Sequence, residues 1–143
     1  MDDKAQDLIR RIERAFSGSK LHDGYTLRKC AALDSRVEES DPDLASIPCC
    51  QRWQEIPDQD MHLFGTHGIL VHSGEINAQF YLPPAMIYVL KNYKGDVLDE
   101  VSEVASALEF SIGRNPPLDE EQREITKDFI DWLESLQEDY EPN

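Results

Sequence analysis

The fold of this chain is decided by the stretch ILVHSGEINAQFYLPPAMIYVLKNY, residues 69–93. Residues 69–72, Ile-Leu-Val-His, predict a strand, and residues 73–75, Ser-Gly-Glu, have the composition of a turn. Residues 76–82 alternate well enough to predict a second strand, so the two runs together predict a β-hairpin. Because a hairpin alone is only marginally stable, we expect it to lie on helices or to gain a third strand.

The second half of the same stretch predicts a helix. Proline is tolerated in the first helical turn, where the backbone N–H has no helical partner in any case. Pro83 and Pro84 therefore predict a helix that begins there and ends near Gly95.

Apolar residues at helical spacing predict further helices on both sides of this stretch. These helices are residues 3–16, a segment from a Thr26 N-cap to about Arg36, a short helix from Pro57 or Asp58 to Gly65, residues 97–112, and residues 119–138. We therefore predict an α+β fold, mostly helical, with about five helices and a small antiparallel β-hairpin or sheet. The chain, residues 1–143, is expected to form a single acidic globular domain with a core around Trp53, Phe80, Phe129 and Trp132.

The last predicted helix has two opposite faces. Asp119 is a good N-cap, and Gln122 stands where a capping box needs it. Ile125, Phe129 and Leu133 belong to the apolar face. The opposite face carries an acidic stripe, defined as Glu120, Glu124, Asp131, Glu134 and Glu138. Because like charges four residues apart cost a helix roughly 0.2–0.5 kcal/mol per pair, the stripe is either a solvated face or a surface for a basic partner.

The charge of the chain narrows the classes of partner. The net charge is −15, which argues against binding nucleic acid backbones and anionic membrane surfaces. Residues 1–36 hold eight Lys and Arg against six Asp and Glu, a balance of +2, which leaves −17 for the rest. No apolar run is long enough to span a membrane. The acidity either keeps the protein in solution or steers a basic protein partner towards it.

The chain has three cysteines, Cys30, Cys49 and Cys50. A small, odd number of cysteines does not form a disulfide framework. They suit a reducing compartment. The N-terminus lacks the apolar segment of a secretory signal. Both features predict a cytoplasmic protein.

Motifs for catalysis and cofactor binding are weak or absent. His62, His67 and His72, with Cys49-Cys50 upstream, lack the short fixed spacings of zinc sites. There is no G-x-S-x-G elbow, and G-x-G-x-x-G and the Walker loop are missing, so we predict no glycine-rich phosphate cradle. We predict no metal, no cofactor and no catalytic residue.

An aromatic cluster offers a second interpretation. Residues 80–84 read Phe-Tyr-Leu-Pro-Pro, and in the hairpin these side chains lie in the core. A small pocket lined by Trp53, Tyr81 and Tyr88 is the alternative, because aromatic residues with a polar tip are common at binding surfaces.

Several short motifs resemble a family. They are T-L-R at residues 26–28, W-x-x-I-P-D at 53–58, F-Y-L-P at 80–83 and L-x-x-E-Q at 118–122. In this order they resemble a bacterial family of small proteins whose domain is of unknown function. The resemblance covers most of the chain, is weakest around Cys49-Cys50 and residues 97–112, and implies no catalytic residues.

Two functions are compatible with these observations. The first is a non-enzymatic interaction module that binds a basic protein partner, as an immunity protein or antitoxin blocks a nuclease. The second is a small-molecule binder or enzyme that uses the region of Trp53, Tyr81 and Tyr88. The sequence indicates no oligomeric state.

Overall fold

The computed structural model describes residues 2–22, 26–47, 49–66, 75–93 and 100–140, with the side chains of residues 66 and 137–140 outside the description. All regular structure in these ranges is helical. The α-helices are α1 (Asp3–Ala15), α2 (Leu27–Ser35), α3 (His62–Thr66), α4 (Ala78–Asn92), α5 (Glu100–Gly113) and α6 (Glu120–Tyr140). Four 3-10 helices join them: Pro42–Leu44, Trp53–Glu55, Asp58–Asp60 and Glu75–Asn77. The described ranges contain no strand, so the predicted α+β class is wrong, although the prediction of a mostly helical fold is confirmed.

The error lies at residues 76–82, which were predicted as a strand. They form the end of the 3-10 helix Glu75–Asn77 and the first residues of α4. Eleven of the 15 residues of α4 are buried. A helix that is covered on all sides needs no polar face, so its sequence lacks the 3.6-residue period that marks a surface helix. The other predicted strand, residues 69–72, lies outside the described residues.

The two prolines lie inside α4 rather than at its start. Neither has an N–H, so the helical bonds to the carbonyls of Gln79 and Phe80 cannot form. A proline in a helix interior costs about 3 kcal/mol relative to alanine. Burial of the apolar side chains around α4 offsets this cost, which local sequence signals cannot show.

The ends of the helices that have a clear apolar face lie close to their predicted positions. Helix α1 ends one residue before the predicted end, and α2 begins after Thr26, whose Oγ1 accepts the Lys29 N–H at 3.1 Å. Helix α2 ends at Ser35, and its C-cap residue Arg36 adopts a left-handed conformation with φ of 58°. The short helix near Pro57 is present as the 3-10 helix Asp58–Asp60 followed by α3.

Helix α4 is the centre of the molecule. Helices α1 and α5 and the 3-10 helix Trp53–Glu55 pack on it, α3 packs on α5, and α6 packs on α1. The buried apolar side chains form one core, which includes the predicted Trp53, Phe80, Phe129 and Trp132. Within the described ranges, no helix has the length and apolar character needed to cross a membrane.

Candidate functional site

The acidic stripe lies on the outer face of α6. Glu120, Glu124, Asp131 and Glu134 are all exposed, and the side chain of Glu138 lies outside the described residues. The opposite face is buried through Gln122, Ile125, Thr126, Phe129, Trp132 and Leu133. The carboxylates therefore point away from the core, as a helical repeat of about 100° per residue requires.

Residues outside the stripe fix the start of α6. Asp119 Oδ1 accepts the Gln122 N–H at 2.7 Å, and Gln122 Oε1 accepts the Asp119 N–H at 3.1 Å, which is the predicted capping box. Gln122 Nε2 also donates to the Ala15 carbonyl at 3.1 Å. The same amide thus caps α6 and ties it to the end of α1.

An ion pair between described side chains links α1 to α6 along this contact. The Arg11 guanidinium donates to Asp128 Oδ2 at 2.7 Å, and both side chains are partly buried. Asp128 lies on the flank of α6, outside the acidic stripe. Among the described side chains, the four stripe carboxylates form no ion pair and no hydrogen bond, so α1 does not neutralise them.

Two cations share α6 with the stripe. Arg123 Nη2 donates to the Leu118 carbonyl at 3.2 Å, which turns its guanidinium towards the start of the helix. Lys127 is exposed, and together with Ile130 it lines a small cleft of about 220 Å³ between α6 and the end of α5. With Lys127 counted, the four described carboxylates still leave the stripe strongly negative.

The aromatic residues of the alternative interpretation lie in different places. Trp53 is buried, and its Nε1 donates to the Phe16 carbonyl at 2.7 Å. Tyr81 is also buried and meets Phe80 edge to face at 5.0 Å between ring centroids. Burial, followed by the nearby thiols of the three cysteines, raises the pKa of Tyr81 far above its ordinary value. Tyr88 is half-buried at the edge of the core.

A groove of about 340 Å³ does open beside Trp53. The rest of its lining comes from Pro84, Ile87 and Lys91 of α4, and from Glu13, Gln54, Ile56 and Asp58. Neither Tyr81 nor Tyr88 belongs to its lining. The positions 84, 87 and 91 share one face of a helix, and this spacing was the available signal for the groove.

The three cysteines form no disulfide, and Cys30 is buried, Cys50 half-buried and Cys49 exposed. Burial raises the pKa of Cys30 to about 12. Burial, then the carboxylates of Glu55 and Asp60, also raises the pKa of Cys50. Because the thiolate is the reactive form, these surroundings make both thiols poor nucleophiles.

Among the described residues, no group of three or more His, Cys, Asp and Glu side chains is arranged to hold a metal ion. His62 Nδ1 lies 2.8 Å from the Gln59 carbonyl. His67 and His72 lie outside the described residues.

Comparison with protein families matches residues 4–142 to a Family of unknown function (DUF6714). The chain belongs to the DUF6714 family. No curated protein and no solved structure matches it. DUF6714 membership thus extends over nearly the whole chain and agrees with the resemblance to a family of unknown function. Because the family carries no assigned activity, its function has to be inferred from the side chains.

Proposed function

We propose that this protein is a non-enzymatic interaction module that binds a basic protein partner through the acidic stripe of α6, in the manner of an immunity protein or antitoxin. The proposal rests on which side chains of α6 contact the rest of the molecule and which do not. The inward face makes the core contacts and the capping box makes the end contacts, whereas the described stripe carboxylates make no contact of either kind.

The dimensions of the stripe suit a protein surface. At 1.5 Å per residue, Glu120 and Glu134 are about 21 Å apart along the helix axis. A standard protein interface buries about 800 Å² on each partner, so a row of this length fits within one. A small ligand would contact only one or two of these carboxylates.

The electrostatics favour a cationic partner. The Debye length is about 8 Å at physiological ionic strength, so a partner must come close before it is attracted to individual carboxylates. Once it is close, a complementary row of Lys or Arg steers the encounter and raises the association rate. We expect such a complex to weaken as salt concentration rises.

We also infer a cytoplasmic location and no catalytic activity. Three cysteines without a disulfide support a reducing compartment. The raised pKa values of the Cys30 and Cys50 thiols support a role without a cysteine nucleophile.

The test is affinity capture from the native host at two salt concentrations, followed by titration of the purified captured protein. The stripe variant carries Glu120→Gln, Glu124→Gln, Asp131→Asn and Glu134→Gln. A matched control removes the same charge elsewhere through Glu13→Gln, Glu38→Gln, Glu39→Gln and Asp43→Asn, all exposed positions outside α6.

We expect the stripe variant to bind at least about tenfold more weakly, a change of about 1.4 kcal/mol, and the control to bind nearly as the wild type does. Equal weakening in both variants would show that only net charge matters. Unchanged affinity in the stripe variant would refute the proposal.

The groove beside Trp53 supports a second candidate function, the binding of a small molecule. Its volume of about 340 Å³ falls within the range of about 300–1,000 Å³ that ligand pockets occupy. A thermal-shift screen of metabolites tests it, with Ile87→Arg as a variant that blocks the groove. A ligand that raises the Tm of the wild type and not of the Ile87→Arg variant would support this second function.

A further inference from the structure

A concavity of about 430 Å³, separate from the groove beside Trp53, lies next to the start of the 3-10 helix Trp53–Glu55. It forms where the loop after α1 meets the segment that leads into this 3-10 helix. Its polar lining comes from Ser17, Ser19, Lys20, Gln51, Arg52 and Gln54. Among the described residues, two cations and no carboxylate line it, although the chain as a whole has a net charge of −15.

We infer that this cationic concavity binds the phosphate monoester group of a small molecule, a role independent of the acidic stripe. A guanidinium offers a fork of N–H donors that matches two phosphate oxygens, and an ammonium offers a compact positive charge. Lys20 and Arg52 supply these groups, and the serine hydroxyls and glutamine amides supply neutral donors. Gly18 leaves open space at its Cβ position, so the backbone is accessible to an anion.

Tertiary hydrogen bonds assemble the concavity. Trp53 Nε1 donates to the Phe16 carbonyl at 2.7 Å, and Gln54 Nε2 donates to the Ser17 carbonyl at 3.3 Å. The two segments that meet here are more than 30 residues apart in the sequence. A local motif could not reveal this site, which differs from the glycine-rich cradle that the sequence lacks.

Two sources of negative charge near the concavity disfavour the binding of an anion, and both are weak. The carboxyl end of α1 carries a partial negative charge, but its Phe16 carbonyl already accepts bonds from Trp53 Nε1 and, at 3.0 Å, from the Ser19 N–H. Glu55 Oε1 accepts the Arg52 N–H at 2.8 Å and does not line the concavity. More distant carboxylates are screened over about 8 Å at physiological ionic strength.

The concavity is large enough to hold a ligand bigger than an inorganic phosphate ion. At about 430 Å³, the concavity falls within the range of about 300–1,000 Å³ typical of small-molecule sites. Inorganic phosphate would occupy only the part next to Lys20 and Arg52. The remaining polar wall suits a hydroxylated body such as a sugar.

The test is an NMR titration of the full chain with inorganic phosphate and with glucose 6-phosphate. Glucose and sodium chloride at matched ionic strength serve as ligand controls. We expect saturable shifts of the Gly18 and Ser19 backbone amides and the Gln54 side-chain amide with both phosphates. Lys20→Gln and Arg52→Gln should each weaken binding about tenfold. Lys4→Gln, which removes an exposed cation at the other end of α1, should leave it unchanged.

The outcomes separate the sources of the phosphate group. Tighter binding of glucose 6-phosphate supports a phosphorylated small molecule, and equal binding supports recognition of the phosphate group alone. Absence of shifts with both compounds, or equal weakening by Lys4→Gln, overturns the inference. Circular dichroism of each variant verifies that it is folded. The stripe variant should bind phosphate as the wild type does, so this inference and the proposed function fail separately.

Discussion

Helices α4 and α6 make opposite use of their side chains. Helix α4 is buried on nearly every side, with eleven of its 15 residues in the core. Helix α6 buries one face and exposes the acidic stripe on the other. The fold therefore constrains almost every residue of α4, whereas it leaves the outer face of α6 open to other constraints. This difference is why we assign function to α6 and structure to α4.

The largest loss of stability is expected from a cavity in α4. Leu82 is fully buried, so Leu82→Ala removes apolar contacts and leaves a void. Substitutions of this kind cost about 2–5 kcal/mol. Urea unfolding should show a loss in this range for Leu82→Ala and a loss of less than about 1 kcal/mol for Ile76→Ala, which is 51% exposed. A loss below about 1 kcal/mol for Leu82→Ala would contradict the central position of α4.

A smaller effect separates the two tryptophans, one beside α4 and one in α6. Trp53 Nε1 donates to the Phe16 carbonyl at 2.7 Å, whereas Trp132 Nε1 is buried and has no hydrogen-bond partner among the described residues. Replacement by phenylalanine removes similar volume at both sites but removes a hydrogen bond only at Trp53. We expect Trp53→Phe to cost about 1 kcal/mol more than Trp132→Phe. Urea unfolding followed by circular dichroism measures both, and an equal or reversed order would disprove this assignment.

The buried carboxylate of Asp60 should affect the pH dependence of stability more than the exposed carboxylates of the stripe do. Asp60 is only 9% exposed, and within the described part of the chain its Oδ2 has no hydrogen-bond partner. Burial raises its pKa above the ordinary value of 3.8, an effect that the charge of His62 partly opposes. The stability that Asp60 contributes is therefore complete below pH 3.8 and is lost as the pH rises through its pKa in the folded protein.

Asp60→Asn should consequently stabilise the protein by about 1 kcal/mol at neutral pH, and the gain should shrink as the pH falls and Asp60 becomes protonated. Melting temperatures of both proteins across an acidic pH series measure this change. Glu124→Gln is the exposed control, and we expect it to have a much smaller effect. A gain from Asp60→Asn that did not vary with pH would argue against burial as its cause.

The same contrast explains how far the sequence predicts the structure. Helices α1, α2 and α6 face solvent on one side, so their apolar spacing and caps at Thr26 and Asp119 are visible in the sequence. Helix α4 has no such period, and its apolar residues before the two prolines resemble a strand that precedes a new helix. The acidic stripe was predicted from spacing alone. The groove beside Trp53 and the cationic concavity were not, because each joins segments that are distant in the sequence.

The proposed function requires that the stability of the fold does not depend on the stripe carboxylates. The most direct measurement is the free energy of unfolding, by urea, of the variant with Glu120→Gln, Glu124→Gln, Asp131→Asn and Glu134→Gln. We predict a value within about 1 kcal/mol of the wild type, or higher, because removal of like charges relieves repulsion along the helix. A loss of more than about 2 kcal/mol in the free energy of unfolding is typical of groups that make buried contacts, and it would show that the fold depends on the stripe.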